Sequence, residues 1–280
     1  MRVHHLNCGS FCPRGKRLVN REGDLLERAL VVCHCLAVET GGDILLVDTG
    51  FGIEDAHDPG RLGAVPRWLM DARPEIATTA LAQLEASGFG AADVRHIVTT
   101  HLDSDHTGGL ADFPEAEVHV FAPELAAARH PSLREKLRYR RAHWEHNPRW
   151  VEHGAGGDKW FGFESVRILD GLDEEIALIP LNGHTRGHTG VAINRGDGWL
   201  LHCGDAIFDC RELAAPPSCP PLLGFFQNLT AADNAARKAN RERLRELTAM
   251  HGDEVDPLCS HDTHDLERRQ AEATTAAATE

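Results

Sequence analysis

Residues 100–109 read THLDSDHTGG and place His101, Asp103, Asp105 and His106 within six positions. Carboxylates crowded together without partners repel one another and lose solvation, so packing alone does not account for the group, whereas a cation resolves the conflict. His101 and Asp103 stand two apart, so extended backbone aims both to one side. Asp105 and His106, next to the turn at Thr107-Gly108-Gly109, can then face a second nearby point. Two metal ions suit this pattern better than one. The run RHIVTT at 95–100 reads as a short buried strand, which puts the cluster at a strand end.

Two coordination spheres need further donors. Three later segments offer them, each after a strand: NGHTRGH at 182–188, HCGD at 202–205 and SHD at 260–262. Further strands are expected at Val3–Leu6, 31–39 (VVCHCLAVE) and 43–50 (DILLVDTG), with Gly41-Gly42 as a hairpin turn between the last two. EVHVFA (117–122), SVRIL (165–169), EIALIPL (175–181), TGVAIN (189–194), GWLLHCGD (198–205) and PLCSH (257–261) supply the remainder. Helices are expected over Ile76–Ser87, after Pro123, over Leu133–Ala142 and over Ala231–Met250. Two successive halves of strands and helices predict an α/β fold in which two mixed sheets meet face to face with helices outside, an αββα sandwich. Residues 1–267 form one domain in this reading, and the polar Ala/Thr-rich tail 268–280 is expected to be disordered.

With these motifs in order, the sequence resembles the metallo-β-lactamase superfamily, whose hallmark is HxHxDH followed by a distant His, an Asp and a last His. The resemblance runs from about residue 31 to 262 and implies the four-layer αββα sandwich of that family. It implies a first metal held by His101 and His188, a second held by Asp105, His106 and His261, and Asp205 as the bridge. It also implies Asp48 of VDTG as an acidic residue supporting the ligands from behind. Within the superfamily the tandem of motifs is most similar to the N-acyl homoserine lactone lactonases. The expected activity is that of a hydrolase in which a hydroxide bridging two divalent ions attacks a lactone or ester carbonyl, with Asp105 shuttling the proton. Thioesterase and phosphodiesterase activities occur on similar layouts. A diiron redox protein and a metal-holding, non-catalytic ligand binder are the readings from other classes.

The sequence departs from the family pattern twice. Asp103 stands where the second histidine of the motif belongs; it is expected to ligate through its carboxylate, which zinc accepts. The exchange removes one positive unit from the centre, so Mn²⁺ or Fe²⁺ become acceptable beside the first expectation, Zn²⁺. Phe208 replaces a tyrosine that in the lactonases contacts the substrate carbonyl.

The surroundings of the site are less determined. His184 is read as a residue supporting the ligands or lining the pocket, and His188 as the ligand. The segment 137–163 gathers three of the five tryptophans and the only tyrosine. Trp144 and Trp150 there, and Trp68 in the Gly/Pro-rich stretch 51–75, are candidates for a substrate wall; a packed crosspiece would use the same aromatics as core. Cys33, Cys35, Cys8 and Cys12 lack a matching second pair for zinc and read as structural.

Across its 280 residues the chain carries 43 acidic against 29 basic side chains, a formal charge of −14, which repels phosphate backbones and anionic lipid surfaces. Neither nucleic acid nor membrane is an expected partner; a small-molecule substrate is, and a homodimer stays open. No run approaches the ~18–20 apolar residues of a membrane span, and MRVHHLNCGS has no apolar core of a signal peptide. The expected location is the cytoplasm, with the eight cysteines reduced.

Overall fold

The computed structural model describes residues 1–164, 166–167 and 176–277. Strand β1 (Val3–Phe11) pairs antiparallel with β2 (Val31–Thr40), and Gly41-Gly42 turns the chain into antiparallel β3 (Asp43–Val47). The short β4 (Ala72–Arg73) pairs with the far end of β1. Strands β5 (Val94–Val98), β6 (Glu117–Phe121) and β7 (Arg149–His153) then add in parallel beyond β3, completing a seven-stranded sheet of order β4-β1-β2-β3-β5-β6-β7. A hairpin of β8 (Lys159–Trp160) and β9 (Phe163–Glu164) leads to the second sheet. That sheet comprises β10 (Val166–Arg167), β11 (Ile176–Pro180), β12 (Thr189–Asn194), β13 (Trp199–His202) and β14 (Val255–Leu258), with only β14 parallel to its neighbour. Of the expected strand at 165–169, Ser165, Ile168 and Leu169 lie outside the described residues.

The alternation of side chains along the strands builds the layers. Leu36, Val38, Leu45, Val47 and Val98 of the first sheet meet Leu178, Val191, Ile193, Leu200 and Leu258 of the second in one core. Their sequence neighbours Cys35, Ala37, Ile44, Leu46 and Ile97 face the other way, toward helix Ala80–Ala86. Ile179, Ala192 and Leu201 likewise turn toward helix Asn234–His251. The strands are therefore apolar on both faces and the protein is a four-layer αββα sandwich.

Tertiary contacts override local expectation in several places. Residues 76–87 divide into a 3-10 turn, Ile76–Thr78, and helix Ala80–Ala86, because Thr79 caps the second piece by accepting the N–H of Ala82. Residues 133–142 hold only the single turn Glu135–Leu137 and the start of Arg141–His143 instead of a helix. Inward-facing Arg138 and Tyr139 hold this crosspiece down through hydrogen bonds to the His184 carbonyl and the Glu124 carboxylate. The C-terminal reading differs as well: a helix spans Thr263–Ala277, over most of the tail expected to be disordered, and 278–280 lie outside the described residues. Buried Arg269 anchors it through both carboxylate oxygens of Asp256 and the Pro257 carbonyl, and Asp265 of the same helix accepts from its Nε. Cys8, Cys33 and Cys35 are buried as small apolar groups, and all eight cysteines are free thiols.

Candidate metal centre

The carboxyl ends of β3, β5, β13 and β14 and the β11–β12 turn converge on one spot. Asp205, after β13, divides its carboxylate there. Its Oδ2 lies 3.3 Å from His184 Nε2 and 3.9 Å from His101 Nε2. Its Oδ1 lies 3.4 Å from His106 Nε2, and His261 Nε2 stands almost evenly between the two oxygens, 3.2 Å from Oδ1 and 3.3 Å from Oδ2. Asp105 Oδ2 stands 3.5 Å from both His106 Nε2 and His261 Nε2. Two donor groups result, His101–His184–Asp205 and Asp105–His106–His261, each with its ligand atoms within 4.8 Å of one another. Asp103 Oδ2 borders the first group, 3.1 Å from His184 Nε2 and 3.4 Å from His101 Nε2.

Partners behind the rings set which nitrogen faces the centre. Asp48, buried at the end of β3, accepts the N–H and hydroxyl of Thr100 and the Nδ1–H of His106, all within 2.8 Å. With its proton given to Asp48, the Thr100 hydroxyl accepts the Nδ1–H of His101 at 3.0 Å. His261 Nδ1 donates to the Val32 carbonyl at 2.8 Å. Each bond leaves Nε2 as the inward lone pair, the arrangement that metal-binding histidines require. His101 Nε2, His106 Nε2 and Asp205 Oδ1 are buried without a hydrogen-bond partner. Buried lone pairs left unsatisfied and converging on two points are the donor set a pair of divalent cations fits.

The electrostatics show the same demand for positive charge. Against the upward push of burial, His261, His106 and His184 hold the Asp205 carboxyl well below its usual range. Burial works against charging His106, yet Asp105, Asp48 and Asp205 drive its pKa well above the ordinary value. Asp103, opposed by burial, is held well below its usual range by Arg138 and then His101.

His184, read as supporting the ligands or lining the pocket, stands in the first donor group, and His188, read as the ligand, stands outside both groups. His188 Nε2 instead accepts the backbone N–H of Asp205 at 2.8 Å, which orients the loop carrying Asp205. Trp144 and Trp150 pack beside Leu102, Val120, Leu125 and Tyr139 and do not line the cavity over the centre. Trp68 is 78% exposed and also stands outside its lining. The crosspiece reading of 137–163 therefore holds for its aromatics, while Leu137 and Arg138 do reach the cavity.

That cavity, about 620 Å³, opens directly over the donors. Asp103, Asp105, His184, Asp205 and His261 form its polar floor, and Leu69, Met70, Phe208, Leu223, Phe226 and Leu229 much of its apolar wall. Phe208 turns its ring edge-on to His261, 4.9 Å between centroids. Helix Pro221–Thr230, which supplies part of the wall, was not anticipated, although Pro221 at its first turn ahead of LLGFF is a usable start signal.

Arg138 and Glu124 also escaped sequence reasoning. Arg138 Nε lies 3.2 Å from Asp103 Oδ1, while its Nη1 and Nη2 donate to the carbonyls of His184 and Thr230 at 2.7 and 2.9 Å. The guanidinium thus balances the carboxylate that stands in place of a neutral imidazole. Glu124, fully buried, accepts Leu102 N–H and Tyr139 O–H through Oε1 and Gly187 N–H through Oε2, tying the two ligand loops together. Gly187 allows that approach, since a Cβ there would stand 2.1 Å from the Glu124 nitrogen.

A four-layer sandwich with imidazoles and carboxylates gathered around two points at its strand ends defines a class of metal-using α/β proteins. The chain belongs to the metallo-beta-lactamase superfamily, whose family model matches residues 28–255. It is 44% identical over 263 residues to a probable metallo-hydrolase of Mycobacterium tuberculosis, covering 94% of this chain and 80% of that one. It is also similar to the N-acyl homoserine lactonase AttM of Azorhizobium caulinodans, 27% identical over 270 residues, 94% of this chain and 93% of the relative. Among solved structures, an N-acyl homoserine lactone hydrolase with N-hexanoyl-L-homoserine at its catalytic metal center superposes with a TM-score of 0.69. The two are 17% identical, and the match covers 95% of each chain. The protein is thus a metal-dependent hydrolase of this superfamily, resembling its lactonase-like branch. Among the described residues no helix is long and apolar enough to cross a membrane.

Proposed function

We propose that the chain hydrolyses a lactone or open-chain ester with an apolar substituent at a centre of two divalent ions. The observation that carries this reading is the place of Asp205 between two donor groups, on the polar floor of a cavity with a large apolar wall. His101, Asp103, His184 and Asp205 would hold one ion, and Asp105, His106, His261 and Asp205 the other. Bound there, such a pair supplies an acidified water nucleophile and polarisation of the scissile carbonyl. The chain's own groups do the rest. Asp105 lines the cavity with Oδ2 turned to His106 and His261, which leaves Oδ1 to carry a proton to the departing alkoxide. Phe208, Leu223 and Phe226 hold the apolar part of the substrate and exclude bulk water from the floor. Phe208 has no hydroxyl to offer the carbonyl oxygen. Zn²⁺ is the first expectation for the ions, and the carboxylate-rich donor set accepts Mn²⁺ or Fe²⁺.

The test is a panel of lactones, carboxylic esters, thioesters and phosphodiesters, run on metal-loaded, chelated and reconstituted protein. Lactone or ester turnover that disappears with the metal and returns with Zn²⁺ or Mn²⁺ is expected. Unchanged turnover after complete metal removal refutes the mechanism. Preference for thioesters or phosphodiesters overturns the substrate class, and metal binding without turnover of any of them overturns the enzymatic reading.

A further inference from the structure

A second group of metal donors lies across β5, β6 and β7, away from the centre described above. His96, in the middle of β5, is five residues before His101, which follows the end of that strand; fully extended backbone would put them about 16 Å apart along the chain. The parallel register sets His96 against Glu117 and Val98 against His119, so Glu117 and His119, two apart on β6, share the face of His96. The ligand atoms of His96, Glu117 and His119 all lie within 4.8 Å of one another. His96 Nδ1 and His119 Nε2 are 3.1 Å apart, and Glu117 Oε2 is 4.0 Å from His96 Nδ1. Ligands on a tetrahedral zinc, with bonds of ~2.0–2.1 Å, stand about 3.3 Å from each other. Three protein donors already near that spacing need only small side-chain adjustments to hold an ion.

The neighbouring strand supplies what such donors need behind them. β7 pairs with β6 so that Arg149 stands opposite Glu117 and His153 opposite Phe121, again on the same face. Arg149 Nη2 donates to Glu117 Oε1 at 3.2 Å, which leaves Oε2 directed toward the rings. His153 Nε2 lies 3.0 Å from His119 Nδ1, so His119 can keep its proton on Nδ1 and present Nε2 as a lone pair. Outer partners of this kind fix the ring orientation and tautomer of metal-bound histidines. His119 is buried, which keeps bulk water from competing for its inward Nε2. The His96 and Glu117 side chains are 22% and 39% exposed, which gives an ion a route in and water access to its remaining positions.

We propose that His96, Glu117 and His119 form a second cation site, separate from the hydrolytic centre and selective for a borderline divalent ion of the zinc class. An ion there joins β5 to β6 through side chains as well as backbone. Without an ion the same atoms form a ladder of neutral rings joined by N–H···N hydrogen bonds, in which His96 Nδ1 carries the proton. Binding moves that proton to His96 Nε2 and changes no other bond.

The experiment counts metal on the full chain. Wild type, His96→Gln and Glu117→Gln are equilibrated with buffered Zn²⁺, bound zinc is measured by elemental mass spectrometry, and affinity by competition with a chromogenic chelator. Both substitutions fall at partly exposed positions, and the melting temperatures of the metal-free proteins check folding. Wild type is expected to hold one zinc equivalent more than His96→Gln, with Glu117→Gln binding that equivalent at least tenfold more weakly. Turnover and the zinc of the hydrolytic centre stay at wild-type level in both, so this readout is independent of whether lactones or esters are the substrate. Equal stoichiometry and equal affinities in all three proteins would show the hydrogen-bonded ladder alone and overturn the site.

Discussion

Replacing Arg138 by Leu isolates the electrostatic cost of Asp103. The carboxylate sits beside two imidazoles, with only 15% of its side chain exposed, and Arg138, 14% exposed, is 3.2 Å away. Unit charges about 4 Å apart attract by about 4 kcal/mol at an effective dielectric constant near 20. Removing one member of a buried pair costs about 3–5 kcal/mol, because the other charge is left stranded. The same truncation also strands the carbonyls of His184 and Thr230, whatever residue occupies position 103. A cycle of wild type, Arg138→Leu, Asp103→His and the double substitution cancels that shared loss and leaves the charge coupling. In metal-free protein the coupling is expected at about 2–4 kcal/mol. At about 2–4 °C per kcal/mol for a chain of this size, that is roughly 4–16 °C in melting temperature. Urea unfolding of the four proteins gives the free energies directly. With metal bound the coupling should shrink, since the cations then compensate Asp103 themselves. A metal-free coupling below about 0.5 kcal/mol would mean that Arg138 is an anchor for the two carbonyls and nothing more.

Other predictions follow from the same geometry. His184→Ala is expected to lose zinc from the first donor group, whereas His188→Ala keeps its zinc and loses about 1–3 kcal/mol of stability by orphaning the Asp205 N–H; metal analysis with thermal melts separates the two. Glu124→Gln presents an N–H₂ group where three donors already point, so about 1–3 kcal/mol of stability and part of the metal affinity should go, measured by urea unfolding and chelator competition. Burial pushes the Asp112 carboxyl up to about 6, with Asp55 and Glu54 adding to the rise against the Ile53 N–H. A raised carboxyl stabilises the fold below its unfolded value of about 3.9, and that contribution is lost as pH climbs through 6. Asp112→Asn should therefore match wild type at pH 4 and exceed it by about 1–3 kcal/mol at pH 8, read as the difference in stability between the two pH values.

The strands were legible because they are apolar on both faces and bounded by turn residues. VVCHCLAVE became β2 and TGVAIN became β12 to within a residue, and DILLVDTG supplied β3, which ends at Val47. The crowding of HLDSDH was legible for an electrostatic reason, since no ordinary environment tolerates those side chains side by side. The relative placement of His184 and His188 was not. Both lie in one glycine-rich turn, and what distinguishes them is remote in sequence. Gly183 adopts φ +137° with its backbone against Arg237, and Gly187 lies against Glu124, so the turn is oriented by two helices that local spacing does not reveal. Arg138 was hidden for a similar reason, as one arginine of an Arg-rich run whose meaning depends on Asp103 lying opposite.

The Asp103–Arg138 pair also bears on why the altered motif still makes a usable site. A histidine at 103 would be neutral and need no compensation; an aspartate alone would add a negative charge beside Asp105 and Asp205. Because Arg138 spans Asp103 Oδ1 and the backbone of His184, it restores the formal charge of the histidine version and at the same time positions the loop that presents His184. Charge and geometry are therefore linked through one side chain. A protein with Arg138→Lys keeps the charge and loses the fork that reaches both carbonyls, so it should retain most of the coupling to Asp103 while presenting His184 less firmly. Zinc affinity of the first donor group, measured by chelator competition against Arg138→Leu, distinguishes these contributions. If Arg138→Lys equals wild type in affinity, charge alone matters; if it equals Arg138→Leu, the hold on the His184 carbonyl is what Arg138 supplies.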